Sequence, residues 1–225
     1  MAIHDLLAAL KTSVKIAYLD DVSLIGAAET VAEDFVHICT AAKAIGLECN
    51  SSKCEVIPLG DGPSTASLNI SFPSVRVIQS DEATLLGAAL GKDVLDDLLR
   101  AHVDQLRRLS VKIGDLHAHD AFYLLKNCLS APKLLFTLRT LPCFAAKELD
   151  VSIQKSLTTT LNVDIGPAQW RQASLPTRLG GLGIPSPSAI ASAAYMASVT
   201  STSALAARIS PTAGVAAETE IAMQD

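Results

Sequence analysis

The chain has 225 residues, a formal net charge of −5 at pH 7, and 49% hydrophobic but only 4% aromatic residues. This length allows one large domain or two small ones with a core of Leu, Val, Ile and Ala. The negative charge argues against a protein that binds nucleic acid over its whole surface. No apolar run reaches the roughly 18 residues that cross a membrane, so we expect no membrane partner. Five cysteines without a C-x-x-C pair or a signal peptide predict reduced thiols and an intracellular location, in the nucleus or the cytoplasm.

The first 58 residues combine two periodicities. Alternating apolar and polar residues predict strands, whereas apolar residues spaced three and four apart predict helices. The resulting elements are a helix over 1–11, strands over 14–19 and 22–25, a helix over 27–45 that ends at Gly46, and a strand over 53–57.

The remainder predicts a loop, short strands and then a mostly helical region. The stretch over 59–73 is rich in Gly, Pro and Ser, which is typical of a surface loop. The elements expected after it are strands over 75–78 and 84–86, a helix with an apolar stripe from Leu95 to Leu109, helices over 120–130 and 145–161, a glycine-rich turn over 178–184 and a helix to about 207.

Asp20 and Asp21 lie between the first two predicted strands, at the tip of a β-hairpin. Two-residue hairpin turns prefer Asn-Gly, Asp-Gly or Gly-X, so Asp-Asp is a poor choice for the turn alone. The two adjacent charges repel each other unless a cation compensates, and a hard divalent cation such as Mg²⁺ takes carboxylate oxygens. The pair therefore indicates a metal site, and the alternative is a solvated acidic turn.

Basic residues are concentrated between residues 98 and 139. This segment contains seven basic residues and three aspartates, which gives a local net charge of +4 on an acidic chain. Such a segment is suited to a nucleic-acid backbone, and the alternative is an ordinary solvated helix surface. The basic residues are Arg100, Arg107, Arg108, Lys112, Lys126, Lys133 and Arg139.

These features, in this order, resemble the C-terminal half of a reverse transcriptase domain of the non-LTR retrotransposon type. Residues 18–21, Tyr-Leu-Asp-Asp, match the aromatic-x-Asp-Asp motif of the polymerase palm. Residues 46–57 resemble the next palm motif, a Gly-Leu-x-x-Asn-x-x-Lys pattern that ends in a strand, and residues 84–87, Thr-Leu-Leu-Gly, resemble the primer-grip hairpin. The match covers roughly residues 1–140.

The resemblance implies an α+β fold with three parts. Residues 1–91 would form a partial palm with a β-hairpin, a helix and short strands, and residues 92–165 a mostly helical thumb-like region. Residues 166–225 would contain the glycine-rich turn and an Ala- and Ser-rich helical tail.

The implied activity is RNA-directed DNA polymerisation, with an RNA template, a DNA primer and two Mg²⁺ or Mn²⁺ ions. By resemblance, Asp20 and Asp21 are metal ligands, and Lys53 is the palm lysine that protonates the leaving pyrophosphate. The alternative for Lys53 is a lysine that protects a strand edge. The residues expected to contact primer or template are Tyr18, Leu86, Gly87, Arg100, Arg107, Arg108 and Lys112.

One departure from the family affects the activity. In the family, a further metal-binding aspartate and a glycine-rich segment precede the Asp-Asp hairpin, and the 13 residues before the first predicted strand hold neither. We therefore expect this chain alone not to polymerise. A second interpretation is a non-catalytic nucleic-acid-binding or scaffold fragment that uses the basic helices over 98–139. A third interpretation is a fragment without a function of its own. The sequence does not indicate the oligomeric state.

Overall fold

The computed structural model describes residues 2–60, 62–142 and 146–209. This part of the chain mixes helices with small two-stranded sheets, so the α+β class is confirmed in this general form. It divides into two compact units, residues 2–80 with 204–209, and Asp81–Ser203. None of the helices in the described part combines the length and the hydropathy that a bilayer crossing requires.

The first unit is built around a β-hairpin and the helix that follows it. In chain order it contains α1 (Ala2–Ala8), β1 (Val14–Tyr18), β2 (Asp21–Ile25), α2 (Ala28–Ala44), β3 (Glu55–Val56), α3 (Thr65–Ser71) and β4 (Arg76–Val77). β1 and β2 pair antiparallel, whereas β3 and β4 pair parallel. The core of this unit joins α2 to α3, where Phe35 and Phe72 meet edge to face at 6.2 Å between ring centroids.

Helix α2 agrees closely with the helix predicted over 27–45, and Gly46 beyond its end has a φ of 80°. The prediction of a loop over 59–73 is wrong for Thr65–Ser71, which form α3. The hydroxyl of Ser64 caps this helix by accepting the backbone N–H of Ser67 at 3.3 Å. Leu68 and Phe72, spaced four apart, bury its inner face. The helix was missed because the Gly, Pro and Ser residues around it favoured the prediction of a loop.

The second unit is a small hairpin followed by packed helices. It contains β5 (Thr84–Leu85), β6 (Ala88–Ala89), α4 (Lys92–Ile113), α5 (Ala118–Leu124), α6 (Ala131–Thr140), α7 (Lys147–Leu161), α8 (Pro167–Ala173) and α9 (Pro187–Ile209, to Ser203 in this unit). A π-helical turn over Leu125–Leu129 joins α5 to α6. β6 and α8 were not predicted from the sequence.

The core of the second unit forms where α4 packs on α7. α4 is amphipathic, and its buried side chains follow the predicted apolar stripe. The buried residues of α4 are Leu95, Leu99, Val103, Leu106 and Ile113.

Several predicted boundaries change. The strands expected over 53–57 and 75–78 shrink to two residues each, because β3 and β4 pair only with one another. Three parts of the chain lie outside the described residues: Cys143, the predicted helix start at Ala145, and the tail over 210–225.

Candidate functional site

The Asp-Asp motif lies on the β1–β2 hairpin, with a register one residue different from the prediction. β1 pairs with β2 from Val14 opposite Ile25 to Tyr18 opposite Asp21. The two turn residues are therefore Leu19 and Asp20, and Asp21 is already the first residue of β2. The prediction of Asp20 and Asp21 together as the turn is wrong, because cross-strand pairing, which sets the register, includes Asp21.

Leu19 is held in an unusual backbone conformation. Its φ is 57°, in the left-handed region that costs a residue with a Cβ about 1–2 kcal/mol. Glycine adopts a positive φ of this kind more readily than leucine, because it has no Cβ. The Leu19 side chain is also 80% exposed, so burial does not offset this strain. Strained residues cluster at functional sites, which makes this turn a candidate site.

The side chains of the motif point into solvent. Asp20 and Asp21 are both exposed, and Tyr18, which was expected to contact primer or template, is 59% exposed. In the described part of the chain, no group of three or more His, Cys, Asp or Glu side chains is arranged to hold a metal ion. The hairpin thus offers two carboxylates and leaves further ligands to water or a bound molecule. Mg²⁺ is often held in this way, by one or two carboxylates together with substrate phosphates.

The base of this hairpin is held by a buried carboxylate that the sequence analysis missed. Asp34 of α2 accepts hydrogen bonds from the backbone N–H of Lys11 at 3.1 Å, from the backbone N–H of Thr12 at 2.7 Å, and from the Thr12 hydroxyl. Asp34 and Thr12 are both buried. Next to them, the Ser13 hydroxyl donates to the Ile25 carbonyl at 2.9 Å. These bonds fix the strand that leads to the motif.

The electrostatic environment of Asp34 favours its charged form. Burial raises the pKa of this carboxyl, but the Thr12 hydroxyl, the two backbone N–H donors and the Lys11 charge outweigh burial, so the pKa lies below its ordinary value. In the sequence, Asp34 lies one turn after Val31 on the apolar face of the predicted helix. A carboxylate in such a position needs hydrogen-bond donors, so this placement was the available signal that Asp34 holds a neighbouring segment.

Lys53 makes no described contact with the Asp-Asp motif. It is exposed and ends a 3₁₀ turn over Ser51–Lys53, rather than starting the predicted strand. The turn is tightened by the Cys54 thiol, which donates to the Asn50 carbonyl at 3.3 Å. No hydrogen bond or ion pair in the described part of the chain joins Lys53 to Asp20 or Asp21.

Leu86 and Gly87 form the turn of the second hairpin. Thr84 pairs with Ala89 and Leu85 with Ala88, so the turn has two residues. Both have positive φ, 51° for Leu86 and 80° for Gly87, which is the type I′ pattern. A hairpin is present at these residues, but the strand predicted over 84–86 ends at Leu85, and Leu86 belongs to the turn.

The basic residues predicted on α4 are partly neutralised by neighbours. Arg100 lies 3.2 Å from Asp97, and Arg107 lies 3.4 Å from Asp104. Arg108 and Lys112 are exposed on the same helix. Exposed pairs of this kind are worth at most about 1 kcal/mol, so a phosphate is able to displace the aspartates. The outer face of α4 nevertheless carries charges of both signs.

Comparisons of the chain with protein-family models, with curated proteins and with solved structures gave no match in any of the three.

Proposed function

We propose that this chain is the late palm and thumb region of an RNA-directed DNA polymerase of the retroelement reverse transcriptase type. The observation that carries the proposal is the β1–β2 hairpin, which presents the Tyr-Leu-Asp-Asp motif with a strained, exposed Leu19 at its turn. A leucine with positive φ in this turn is unfavourable for folding, and an acidic pair beside it adds repulsion. A metal ion bound by the two carboxylates would offset this repulsion.

The role of the hairpin follows from two-metal chemistry. Nucleotidyl transfer needs ions that hold the attacking hydroxyl and the leaving pyrophosphate, with carboxylates on a rigid support. In our proposal Asp20 and Asp21 supply the carboxylates, and Asp34 keeps the support rigid through its bonds to Thr12 and Lys11. The proposed cofactor is Mg²⁺ or Mn²⁺, and the partners are an RNA template and a DNA primer.

We further propose that the chain by itself does not polymerise. Two carboxylates from one hairpin do not satisfy two hexacoordinate ions, and the described residues provide no third ligand beside them. Primer extension with Mg²⁺ or Mn²⁺ tests this part. If the wild-type chain incorporates nucleotides and Asp20→Asn abolishes this incorporation, the proposal that the chain is inactive by itself is refuted. The same result would support the metal site at Asp20 and Asp21.

Metal binding by the hairpin is tested by titration with Mn²⁺, read by electron paramagnetic resonance in the presence of a nucleoside triphosphate. We expect the double variant Asp20→Asn/Asp21→Asn to weaken Mn²⁺ binding at least tenfold. The matched control is Asp96→Asn/Asp97→Asn, a second adjacent pair of aspartates on α4, which removes the same charge. Equal losses in the two double variants would show a general charge effect and reject the site.

A second function, nucleic-acid binding without catalysis, is favoured by one observation. α6 carries Lys133 and Arg139 and contains no acidic residue, unlike α4. Salt-dependent binding of a DNA–RNA hybrid without nucleotide turnover would support this alternative.

A further inference from the structure

Phe136 lies in the middle of the exposed face of α6. Its side chain is 54% exposed, whereas the other three phenylalanines that the structure describes are buried or half-buried. The opposite face of the helix buries Leu134 and Leu138 in the core. A phenylalanine ring has a large apolar area, so its exposure forgoes stabilisation that burial would supply. The exposed ring is available for contact with a bound molecule.

The ring of Phe136 adjoins the turn of the second hairpin. A Cβ placed on Gly87 would lie 3.9 Å from Cε1 of Phe136, which is ordinary van der Waals contact. Leu86, the other turn residue, is also exposed. The hairpin turn thus lies beside one edge of the ring, and more than half of the side chain is open. We call Leu86, Gly87, Lys133, Phe136 and Arg139 the α6 surface.

Two cations flank Phe136 on the α6 surface. Lys133 precedes it by three residues and Arg139 follows it by three, so both lie on the same side of the helix as the ring. Their backbone positions are about 9 Å apart along the helix axis, from a rise of 1.5 Å per residue. Within the described residues, neither forms an ion pair with a carboxylate, in contrast to Arg100 and Arg107 of α4.

We infer that the α6 surface binds an unpaired nucleic-acid strand, with one base stacked on Phe136 and its flanking phosphates next to Lys133 and Arg139. A base–aromatic stack needs the open face of a base, which a duplex covers with neighbouring bases. The separation of the two cations suits the backbone on either side of a single nucleotide. An apolar protein segment would instead remove both cations from water without a partner. The inference rests on the proposed function only in taking nucleic acid as the partner.

Fluorescence anisotropy with labelled 15-nucleotide oligo(dT) and oligo(U), in EDTA, tests the inference. We expect Phe136→Ala to weaken binding at least fivefold, from the loss of one stacked base. Lys133→Gln/Arg139→Gln should weaken it at least tenfold at low salt. The slope of log affinity against log salt should fall by about 1.4, since each single-strand phosphate contact contributes about 0.7.

Each control variant makes a similar substitution at another position of the same unit. Tyr123→Ala removes another exposed aromatic ring, with 64% exposure, and Arg100→Gln/Arg107→Gln removes two arginines that aspartates already neutralise. Both should stay within twofold of the wild type. If Phe136→Ala does not fold, Phe136→Leu keeps an apolar side chain without the aromatic face and should show the same loss.

Four results would overturn the inference: no salt-dependent binding, equal effects of Phe136→Ala and Tyr123→Ala, tighter binding of a duplex of the same length, or a larger loss from the α4 pair than from the α6 pair. EDTA removes divalent ions, so each of these results leaves the proposed metal site at Asp20 and Asp21 untouched.

Discussion

The Asp34 carboxylate accepts the backbone N–H of Thr12 at 2.7 Å and the Thr12 hydroxyl as well, across 22 residues of sequence. This relationship connects α2 to the strand that leads into the Asp-Asp motif. Helix α2 packs on α3 through Phe35, so the motif stands on a hairpin whose base is tied to the core of its unit. A carboxylate that presents metal ions to a substrate needs a support of this kind.

Replacing Asp34 should destabilise the first unit. Asp34→Ala leaves the buried Thr12 hydroxyl and two backbone N–H groups without acceptors, so we expect the thermal unfolding midpoint to fall by several degrees. The control is Glu33→Ala on the same helix, whose exposed ion pair with Lys11 at 3.1 Å contributes little. Differential scanning calorimetry compares the two variants. An equal, small effect of both would show that the bonds to Asp34 do not hold the hairpin.

Relief of strain at Leu19 should stabilise the protein. Leu19→Gly removes the Cβ that makes a φ of 57° unfavourable, and the gain exceeds the added freedom of the unfolded chain. We expect the free energy of unfolding to rise by about 0.5–1 kcal/mol in urea denaturation. Leu85→Gly, at a strand position without positive φ, should lower it. Destabilisation by Leu19→Gly would refute the strained turn.

The hairpin and α2 were predictable because local patterns determine them. Alternation around residues 14–25 and helical spacing after Gly26 predicted these elements within about two residues. The turn was misplaced by one residue, since the pairing of Tyr18 with Asp21 is not encoded in the alternation. Asp34 was missed because its partners, two backbone N–H groups and the Thr12 hydroxyl, lie 22 and 23 residues away in sequence, where no local motif identifies them.

The proximity of Gly87 to Phe136 was unpredictable for the same reason. The two residues are 49 positions apart, and the pattern of α6 indicates which face is exposed without indicating which turn lies beside it. The basic residues of α4, in contrast, were found by composition, but composition did not reveal that Asp97 and Asp104 pair with two of them.

Acidification should destabilise the second unit through His102. Burial, with a smaller effect of the Lys133 charge, lowers the pKa of His102 below its ordinary 6.5. The unfolded chain therefore takes up a proton near pH 6.5 that the folded chain does not bind, and stability falls as the pH decreases through 6.5 toward the folded pKa. His102→Gln should flatten this dependence, measured by urea denaturation between pH 7.5 and 5. An unchanged slope in the variant would assign the effect to another group.

Cys39 should react slowly with alkylating reagents. Burial raises its pKa to about 11, assisted by the neighbouring Cys49 thiol. Since the thiolate is the nucleophile and each pKa unit changes its fraction tenfold, the rate at pH 8 should be about 100-fold below that of an ordinary cysteine. The exposed Cys128 serves as the internal reference. Mass spectrometry of iodoacetamide time courses measures both sites, and comparable rates would contradict the burial of Cys39.

We propose above all that the β1–β2 hairpin binds a divalent metal ion. The most direct measurement is the paramagnetic broadening of backbone amide signals when Mn²⁺ is added to the ¹⁵N-labelled chain with a nucleoside triphosphate. We expect that signals of residues 18–22 broaden first, that Asp20→Asn/Asp21→Asn removes this effect, and that residues around Asp96 and Asp97 respond only at higher Mn²⁺ concentration. Broadening that begins elsewhere, or that persists in the double variant, would contradict it.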